Sequence, residues 1–228
     1  MEIIRLENIS KIYEDHGIPV QALKDVNLEI DKGDFVVIAG PSGSGKTTLL
    51  NIIGSLDIPS EGHVFLEGEN LTHKKKRELS AIRLRKIGFI FQAYNLLPVL
   101  TALENIEFSM MLLGLSDKER HKKAMKIMEE LDIAELANKK PNKMSGGQQQ
   151  RVAVGRAIVN DPLLVLADEP TANLDTKTAN GLLDLMQKMN EEKNITFVFS
   201  SHDKKVIDRA KKLFILKDGM IVNGNGNK

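Results

Sequence analysis

Four short apolar runs, rich in β-branched residues, stand out from the polar background of the chain. Runs that are apolar on both faces predict parallel strands covered by helices. Because such sheets bind ligands beyond the carboxyl ends of their strands, we expect the polar segments that follow the runs to meet in one crevice. The runs are Asp34–Ala39 before a glycine-rich loop, Ile87–Phe91 before Gln92, Leu163–Ala167 before Asp168 and Glu169, and Ile195–Phe199 before His202.

Other patterns surround these strands. Short strands and turns near the N-terminus predict an antiparallel β lobe, and the middle of the chain has a helical pattern. There, Ser116 and Glu119 have the spacing of a capping box, and apolar residues recur at helical spacing from Ala124 to Leu131. The last residues are rich in Asn and Gly and predict a frayed tail. We therefore expect a single α/β domain over residues 1–228 with an antiparallel β lobe (about 1–30 and 60–72), a mainly parallel core (about 31–59, 85–92 and 148–222), a helical lobe (about 93–147) and a tail (223–228).

Composition narrows the classes of function. The chain has 228 residues, no cysteine, and 32 Lys and Arg against 31 Asp and Glu. The lack of cysteine excludes thiol nucleophiles, disulfide frameworks and Cys-ligated metal sites. The balanced charge provides no domain-wide attraction for nucleic acid. Since no apolar run approaches the ~20 residues of a spanning helix, we expect a protein that does not cross a membrane by itself. The N-terminus has Glu2 and Arg5 in place of an apolar signal core, so we also expect an unsecreted protein.

The most specific motif is the glycine-rich loop after the first apolar run. It matches G-x-x-x-x-G-K-[ST] and precedes an apolar helical pattern. In such a loop, backbone N–H groups at a helix N-terminus surround the β-phosphate, a lysine neutralises the β and γ oxygens, and a hydroxyl binds Mg²⁺. The motif therefore predicts a nucleoside triphosphate site. Its residues are Gly40, Pro41, Ser42, Gly43, Ser44, Gly45, Lys46, Thr47 and Thr48.

Two further motifs fit nucleotide chemistry. Asp168 and Glu169 end an apolar run, where an Asp can hold Mg²⁺, usually through water, and a Glu can polarise the attacking water. The segment Ser145-Gly146-Gly147-Gln148 opens a predicted helix at Gln149–Val159, so its free N–H groups can face an anion. Taken alone, the two acids could be solvated carboxylates and the second segment a plain helix cap. The phosphate loop in the same chain favours the catalytic interpretation of the acids.

In order and spacing, these motifs resemble those of the ATP-binding cassette (ABC) ATPases along essentially the whole chain. The resemblance implies a P-loop NTPase (RecA-like) core, with ATP and Mg²⁺ as cofactors. More narrowly, residues 91–106 with the SGGQQQRVA segment are similar to the lipoprotein-release and macrolide-export branch, the LolD/MacB type. The family resemblance rests on GPSGSGKT at 40–47, Gln92 after a strand, SGGQQQRVAVGRAI at 145–158, LLVLADEPTANLD at 163–175, and His202 in SSHD.

The resemblance also implies roles for single residues. Tyr13 matches the aromatic that stacks on adenine, although the residue alone reads equally well as a strand-edge tyrosine. Gln92 matches the glutamine that touches Mg²⁺ and the attacking water and senses the membrane partner. His202 matches the switch histidine, which bonds the γ-phosphate and couples to Glu169. The implied catalytic set is Glu169, His202, Gln92 and Lys46, and the implied metal set is Thr47, Gln92 and Asp168.

A second group of residues is implied to act on another copy of the chain. Ser145, Gly147 and Gln148, with Gly146 between them, match the signature that contacts the γ-phosphate of ATP held by the other subunit. Asp175 matches the aspartate that links the two sites across the dimer. All five residues therefore belong to the implied nucleotide-binding set.

Two positions depart from the family pattern. Met144 stands where the family usually has Leu, a near-isosteric change that we expect to be harmless. Asn173 replaces a commoner small residue just before Asp175. This second departure affects the fine geometry of that loop and leaves the family assignment in place.

The resemblance implies an ATP-driven clamp. Two copies face head to tail, each ATP lies between the phosphate loop of one and Ser145–Gln148 of the other, and hydrolysis to ADP and phosphate reopens them. The partners are then a second copy in the ATP-bound state and an integral membrane permease, with no nucleic acid expected. We accordingly expect a cytoplasmic protein, peripheral on the cytoplasmic face of the cell membrane. Lipoprotein release, export and a division-linked regulatory role stay open, because no residue of a cassette contacts the cargo.

Proteins of two other functional classes contain some of the same motifs. A soluble ABC ATPase that acts on ribosomes or DNA has the same motifs, but such relatives usually carry two cassettes, long coiled coils or zinc modules, which this sequence lacks. A P-loop kinase has the phosphate loop but leaves Ser145–Gln148 unexplained. Transport or mechanical coupling is therefore the preferred hypothesis.

Overall fold

The computed structural model describes residues 1–15 and 18–225. No helix in these ranges is both long and apolar enough to span a bilayer. The strands are β1 (Glu2–Asp15), β2 (Ile18–Asp31), β3 (Phe35–Ala39), β4 (Glu61–Leu66), β5 (Glu69–Asn70), β6 (Ile87–Ile90), β7 (Leu164–Asp168), β8 (Thr196–Ser201), β9 (Lys212–Lys217) and β10 (Met220–Asn225). The helices are α1 (Lys46–Ile53), α2 (Lys76–Lys86), α3 (Ala102–Leu112), α4 (Asp117–Glu130), α5 (Gly146–Ile158), α6 (Thr176–Lys193) and α7 (Lys204–Ile207).

A six-stranded sheet forms the centre of the fold, in the order β10-β9-β3-β8-β7-β6. Its strands from β9 to β6 run parallel to their neighbours, whereas β10 is antiparallel to β9. Every residue of β3 and β8 is buried, as expected for strands covered on both faces. The four apolar runs of the sequence form β3, β6, β7 and β8, so the prediction of a mainly parallel α/β sheet is confirmed.

The central sheet separates two hydrophobic cores because successive residues of a strand point to opposite faces. Phe35 and Val37 pack on one face with apolar residues of α3, α4, α5 and α6. Val36 and Ile38 pack on the other face with α1 and with strands β1, β2 and β4, which belong to a second sheet. This double burial fixes β3, and with it the loop that follows, between two packed layers.

The second sheet is antiparallel, in the order β2-β1-β4-β5. The sequence predicts short strands here, but β1 and β2 are 14 residues long each. They stay paired because β-bulges, one of them between Leu6 and Ile9, absorb extra residues and increase the twist. Asn8 lies in this bulge with a φ of 50°, a left-handed conformation that Asn tolerates. The bulge also interrupts the alternation of apolar and polar residues, which is why the sequence suggests shorter strands.

The helical lobe contains α3 and α4. The predicted capping box at the start of α4 is confirmed, since Ser116 Oγ accepts from the Glu119 N–H at 3.4 Å and Glu119 accepts from the Ser116 N–H at 3.0 Å. Thr101 and Glu104 form the same motif at the start of α3. The predicted apolar residues from Ala124 to Leu131 are buried in the core that α3 and α5 share.

The C-terminal segment differs from its prediction. β10 includes residues 223–225 and pairs with β9 through a turn in which Asp218 and Gly219 both have positive φ. The expectation of fraying is therefore wrong for 223–225, and residues 226–228 lie outside the described part of the chain. Backbone pairing in the hairpin outweighs the Asn- and Gly-rich composition, because the ladder hydrogen bonds do not depend on side chains.

Candidate functional site

Four polar segments come together at one edge of the central sheet. β3, β8, β7 and β6 are parallel neighbours in that order, so their carboxyl ends lie side by side. The phosphate loop, His202, Asp168 with Glu169, and Gln92 lie at these ends. Residues of all four segments line a cavity of about 580 Å³, although Asp168 itself does not. The crevice expected from the sequence is therefore present.

Most of the predicted nucleotide-site residues line this cavity, and the fold adds others. The sequence pattern missed the β2 residues that line it, because the hairpin reaches the cavity only through the tertiary fold. It also missed Ser200, although this residue is the first serine of the SSHD segment. The predicted lining residues are Tyr13, Ser42, Gly43, Gly45, Lys46, Thr47, Thr48, Gln92, Glu169 and His202, and the missed ones are Val20, Gln21, Ala22, Ala172 and Ser200.

The phosphate loop packs too closely against its surroundings to accept side chains at two glycines. A Cβ on Gly40 would lie 2.1 Å from Leu216 O, and one on Gly45 would lie 2.5 Å from Ala22 O. Gly45 also has a φ of 102°, in the left-handed region that favours glycine. The absence of side chains leaves the backbone N–H groups of this loop free to face a ligand.

Helix α1 presents an anion-binding end to the cavity. It begins at Lys46 with no side-chain cap and no acidic residue in its first turn, so its N–H groups and dipole are available to phosphate. The Lys46 ammonium donates to Gly40 O at 2.8 Å and to Pro41 O at 2.9 Å. These contacts hold the positive charge inside the loop, and phosphate oxygens would replace the neutral carbonyls as stronger acceptors.

The oxygen atoms beside the phosphate loop suit a magnesium ion. Thr47 Oγ1 donates to Asp168 Oδ2 at 3.0 Å, and Ser200 Oγ donates to the other carboxylate oxygen. Hydroxyl, carboxylate and the Gln92 amide oxygen are the hard donors that Mg²⁺ takes. Within residues 1–15 and 18–225, no group of three or more His, Cys, Asp or Glu side chains could hold a metal ion. The residues therefore fit Mg²⁺ that shares its coordination with nucleotide phosphates.

Glu169 is held in a defined position at the end of β7. Its Oε1 lies 2.7 Å from His202 Nδ1, and its Oε2 accepts from Ser201 Oγ at 3.1 Å. Its backbone has a φ of 45°, a strained conformation of the kind that clusters at active sites. The carboxylate is thus positioned on the cavity wall, where it can accept a proton from a water next to the phosphates.

The loop that carries Gln92 is fixed from two sides. Asn173 Nδ2 donates to Gln92 O at 3.0 Å. On α5, the Arg156 guanidinium donates to Tyr94 O at 2.8 Å and to Asn95 O. Tyr94 and Asn95 both have positive φ, so the arginine stabilises an uncommon backbone pair. Burial lowers the pKa of Arg156 from its usual value, yet an arginine stays protonated in a protein. The unusual Asn173 therefore connects two loops of the site.

The segment Ser145–Gln148 lies apart from the cavity. Ser145 Oγ accepts from the Gln148 N–H at 3.3 Å, and Gln148 Oε1 accepts from the Ser145 N–H at 3.0 Å. This capping box starts α5 at Gly146, three residues earlier than predicted. A Cβ on Gly147 would lie 2.4 Å from Thr178 Cγ2, so a glycine is needed for this approach to α6. No residue of the segment is among the described residues that line the cavity.

Asp175 lies at the start of α6, the helix that approaches Gly147 through Thr178. It caps α6 by accepting from the N–H groups of Lys177 and Thr178. Hydrogen bonds from the Thr178 side chain and backbone lower the pKa of Asp175, which keeps it ionised at neutral pH. The predicted site residues thus form two groups, one around the cavity and one at the N-termini of α5 and α6.

The chain matches known proteins along nearly its whole length. A family model described as ABC transporter matches residues 23–172. The "Uncharacterized ABC transporter ATP-binding protein MJ0796" of Methanocaldococcus jannaschii is 46% identical over 223 residues, covering 96% of this chain and 95% of that protein. A structure of the MJ0796 cassette, described as dimeric, post-hydrolysis and bound to ADP and Pi, matches with a TM-score of 0.92 and 44% identity over 98% of each chain.

Two other relatives carry more specific names. The lipoprotein-releasing system ATP-binding protein LolD of Aquifex aeolicus is 42% identical and covers 97% of this chain and 96% of its own length. The macrolide export ATP-binding/permease protein MacB of Hyphomonas neptunium is 42% identical over 99% of this chain, which spans only 35% of MacB. The resemblance inferred from the motifs is therefore confirmed.

Proposed function

The chain belongs to the ABC transporter family as an ATP-binding cassette, and on this basis we propose that it is one half of an ATP-driven clamp on a membrane permease. Membership makes it an ATPase, which hydrolyses ATP to ADP and phosphate. One observation carries the proposed clamp. The N-terminus of α1 lies at the cavity, whereas the N-terminus of α5, for which the resemblance implies a phosphate contact, lies outside it.

Head-to-tail pairing of two copies explains why these two ends are separate. In such a dimer the α1 end of one copy and the α5 end of the other face the same triphosphate. Each end contributes the positive end of a helix dipole. The α1 end has no side-chain cap, and the capping box of α5 uses the Gln148 N–H but not those of Gly146 and Gly147. The γ-phosphate then joins both copies, so ATP should stabilise the dimer more than ADP does. Asp175, next to the α5 end, would lie at the interface between the two sites.

Residues already held in the cavity suit the hydrolysis step. Glu169 accepts a proton from the attacking water, and His202, bonded to Glu169, orients toward the γ-phosphate. Lys46 and the loop N–H groups stabilise the negative charge that develops on the phosphate oxygens. Thr47, Asp168 and Gln92 would hold Mg²⁺. When bound, the ion supplies positive charge to the phosphate oxygens.

A groove of about 470 Å³ between the core and the helical lobe is the proposed docking site for the permease. Leu56 and Phe89 line it from the core, and Leu112, which is 58% exposed, lines it from α3. Apolar side chains exposed together in a groove favour an interaction site. We propose that an amphipathic segment of the permease fills it. Asn95 and Arg156 also line the groove, so the occupant would contact the loop that carries Gln92.

The printed names of the relatives indicate the type of partner. LolD is named for a lipoprotein-releasing system, and MacB joins an ATP-binding part to a permease for macrolide export. We therefore propose export or lipoprotein release with mechanical coupling, with this chain on the cytoplasmic face of the membrane. A cassette that acts on ribosomes or DNA is less well supported, because these relatives are transporter proteins.

Glu169→Gln tests the clamp. It removes the proton acceptor but keeps the side-chain size, so ATP should bind while turnover falls at least about 100-fold. Sedimentation velocity should then detect a dimer with Mg-ATP and a monomer with Mg-ADP. Glu191→Gln, the same change at an exposed position of α6, is the matched control and should behave as wild type. A Glu169→Gln chain that stays monomeric with Mg-ATP would refute the clamp.

A further inference from the structure

Two residues outside the cavity hold the side chain of Tyr13. The Tyr13 hydroxyl donates to Asp57 Oδ2 at 2.6 Å. The Lys11 ammonium donates to Asp57 Oδ1 and to Ile58 O, both at 2.7 Å. The same ammonium lies 4.8 Å from the centroid of the Tyr13 ring. One carboxylate thus binds both neighbours, and Lys11 covers one side of the ring.

These contacts connect the ring to the phosphate-binding part of the molecule. Lys11 and Tyr13 are two residues apart on β1 and share one face of the strand. Asp57 follows α1, the helix that begins at Lys46. The ring is therefore hydrogen-bonded to the segment after α1, and α1 begins at the phosphate loop. Tyr13 is still 39% exposed and lines the cavity, so part of the ring is open to a ligand.

We propose that Asp57 and Lys11 are positioning residues that set the Tyr13 ring as a platform for the base of the nucleotide. The inference rests on the proposed ATP site. A ring that is already held loses little conformational freedom when a base stacks on it, so the affinity for ATP is higher. Without the two neighbours, the exposed ring would exchange between staggered rotamers and lose part of its contact with the base.

The protonation states of the group suit this role. Burial raises the pKa of Tyr13, and the hydrogen bond to Asp57 raises it further, so the phenol remains a donor at neutral pH. Burial alone would raise the pKa of Asp57, but hydrogen bonds from Lys11 and Tyr13 outweigh it and lower that pKa below its usual value. The Ile58 N–H provides a further donor at 2.7 Å. Asp57 therefore stays ionised and can accept from both side chains.

Calorimetric titration with two ligands, Mg-ATP and Mg-tripolyphosphate, tests the proposal. Tripolyphosphate offers the phosphates without a base. Asp57→Ala and Tyr13→Phe each break the hydrogen bond and keep the ring, so each should weaken ATP binding about three- to tenfold and leave tripolyphosphate binding unchanged. The double variant should lose no more than the larger single loss, because both changes remove the same contact.

Controls separate this role from a structural one. Asp57→Asn keeps an acceptor for the Tyr13 hydroxyl and should restore most of the ATP affinity. Asp208→Ala, which breaks an exposed ion pair with Lys204, should change the affinity for neither ligand. Equal losses for ATP and tripolyphosphate, additive losses in the double variant, or unchanged ATP affinity would each overturn the platform. A wild-type chain that binds neither ligand would instead overturn the ATP site itself.

Discussion

Replacing Ser145 by alanine separates the structural role of its hydroxyl from its proposed role toward ATP. Ser145 Oγ accepts from the Gln148 N–H, and no hydrogen bond among the described residues uses the hydroxyl proton. The same hydroxyl can therefore cap α5 and donate to a γ-phosphate. In the similar box on α4, the Ser116 hydroxyl donates to Glu119 Oε2 at 2.6 Å. Ser116→Ala is thus the matched control.

Both substitutions should lower stability, Ser116→Ala at least as much as Ser145→Ala because it also loses the hydrogen bond to Glu119, but only Ser145→Ala should affect function. Loss of either N-cap costs about 1 kcal/mol in unfolding free energy, or about 2–4 °C in Tm for a chain of this length. A hydrogen bond to a charged phosphate contributes about 1.5–3 kcal/mol. A head-to-tail dimer contains Ser145 twice, so Ser145→Ala should weaken ATP-dependent dimerisation by about 3–6 kcal/mol, more than 100-fold. Ser116→Ala should leave dimerisation unchanged.

The assay is sedimentation of each variant in the Glu169→Gln background over a range of Mg-ATP concentrations, together with thermal unfolding. Gln148→Glu adds a second perturbation. A carboxylate at this position would accept a hydrogen bond from the Ser145 hydroxyl and repel phosphate, so Tm should stay unchanged while the dimer is lost. Equal dimerisation in Ser145→Ala and Ser116→Ala would refute the reasoning, because the hydroxyl of Ser145 would then act only as a cap.

Two further predictions concern the groove and the helical lobe. Leu112→Asp should keep ATP-dependent dimerisation but prevent co-purification of an integral membrane protein from detergent-solubilised native membranes, whereas Val222→Asp, at another exposed apolar position, should retain it. Equal recovery with both variants would contradict the groove assignment. Burial raises the pKa of Glu107, so its ionised form destabilises the fold at neutral pH and ceases to do so as the pH falls below the unfolded pKa of about 4.3. Glu107→Gln should therefore have a higher urea midpoint of unfolding than wild type at neutral pH and the same midpoint in acid. A midpoint that is higher by the same amount at both pH values would contradict the assigned pKa direction.

The parts of the fold that could be predicted from the sequence have local signals. The buried parallel strands are continuous apolar runs, and the phosphate loop combines fixed glycines with a lysine and a hydroxyl. The capping box of Ser116 is likewise contained within four residues. Such features depend on neighbours along the chain, so tertiary contacts did not change them.

The parts that could not be predicted depend on contacts between distant residues. The hydrogen bond of Tyr13 to Asp57 spans 44 positions, and that of Asn173 to Gln92 spans 81. No periodicity or motif records such a pair. The sequence predicts too late a start for α5 for a different reason. Glycine has a low helix propensity, but the cap at Ser145 satisfies the first turn and outweighs that cost.

Helix α5 runs from the proposed docking groove to the end that would face the second copy in the proposed clamp. Its 13 residues form a rod about 20 Å long, with Ser145 at one end and Arg156 near the other. Val152, at its midpoint, is fully buried in the core, so a tilt of the helix would pivot about this residue. A tilt of about 10° around this point moves the two ends about 1.7 Å in opposite directions, more than the range over which a hydrogen bond keeps its strength. In the proposed clamp, a partner seated in the groove would therefore act on the contact between Ser145 and ATP from the far end of the same helix.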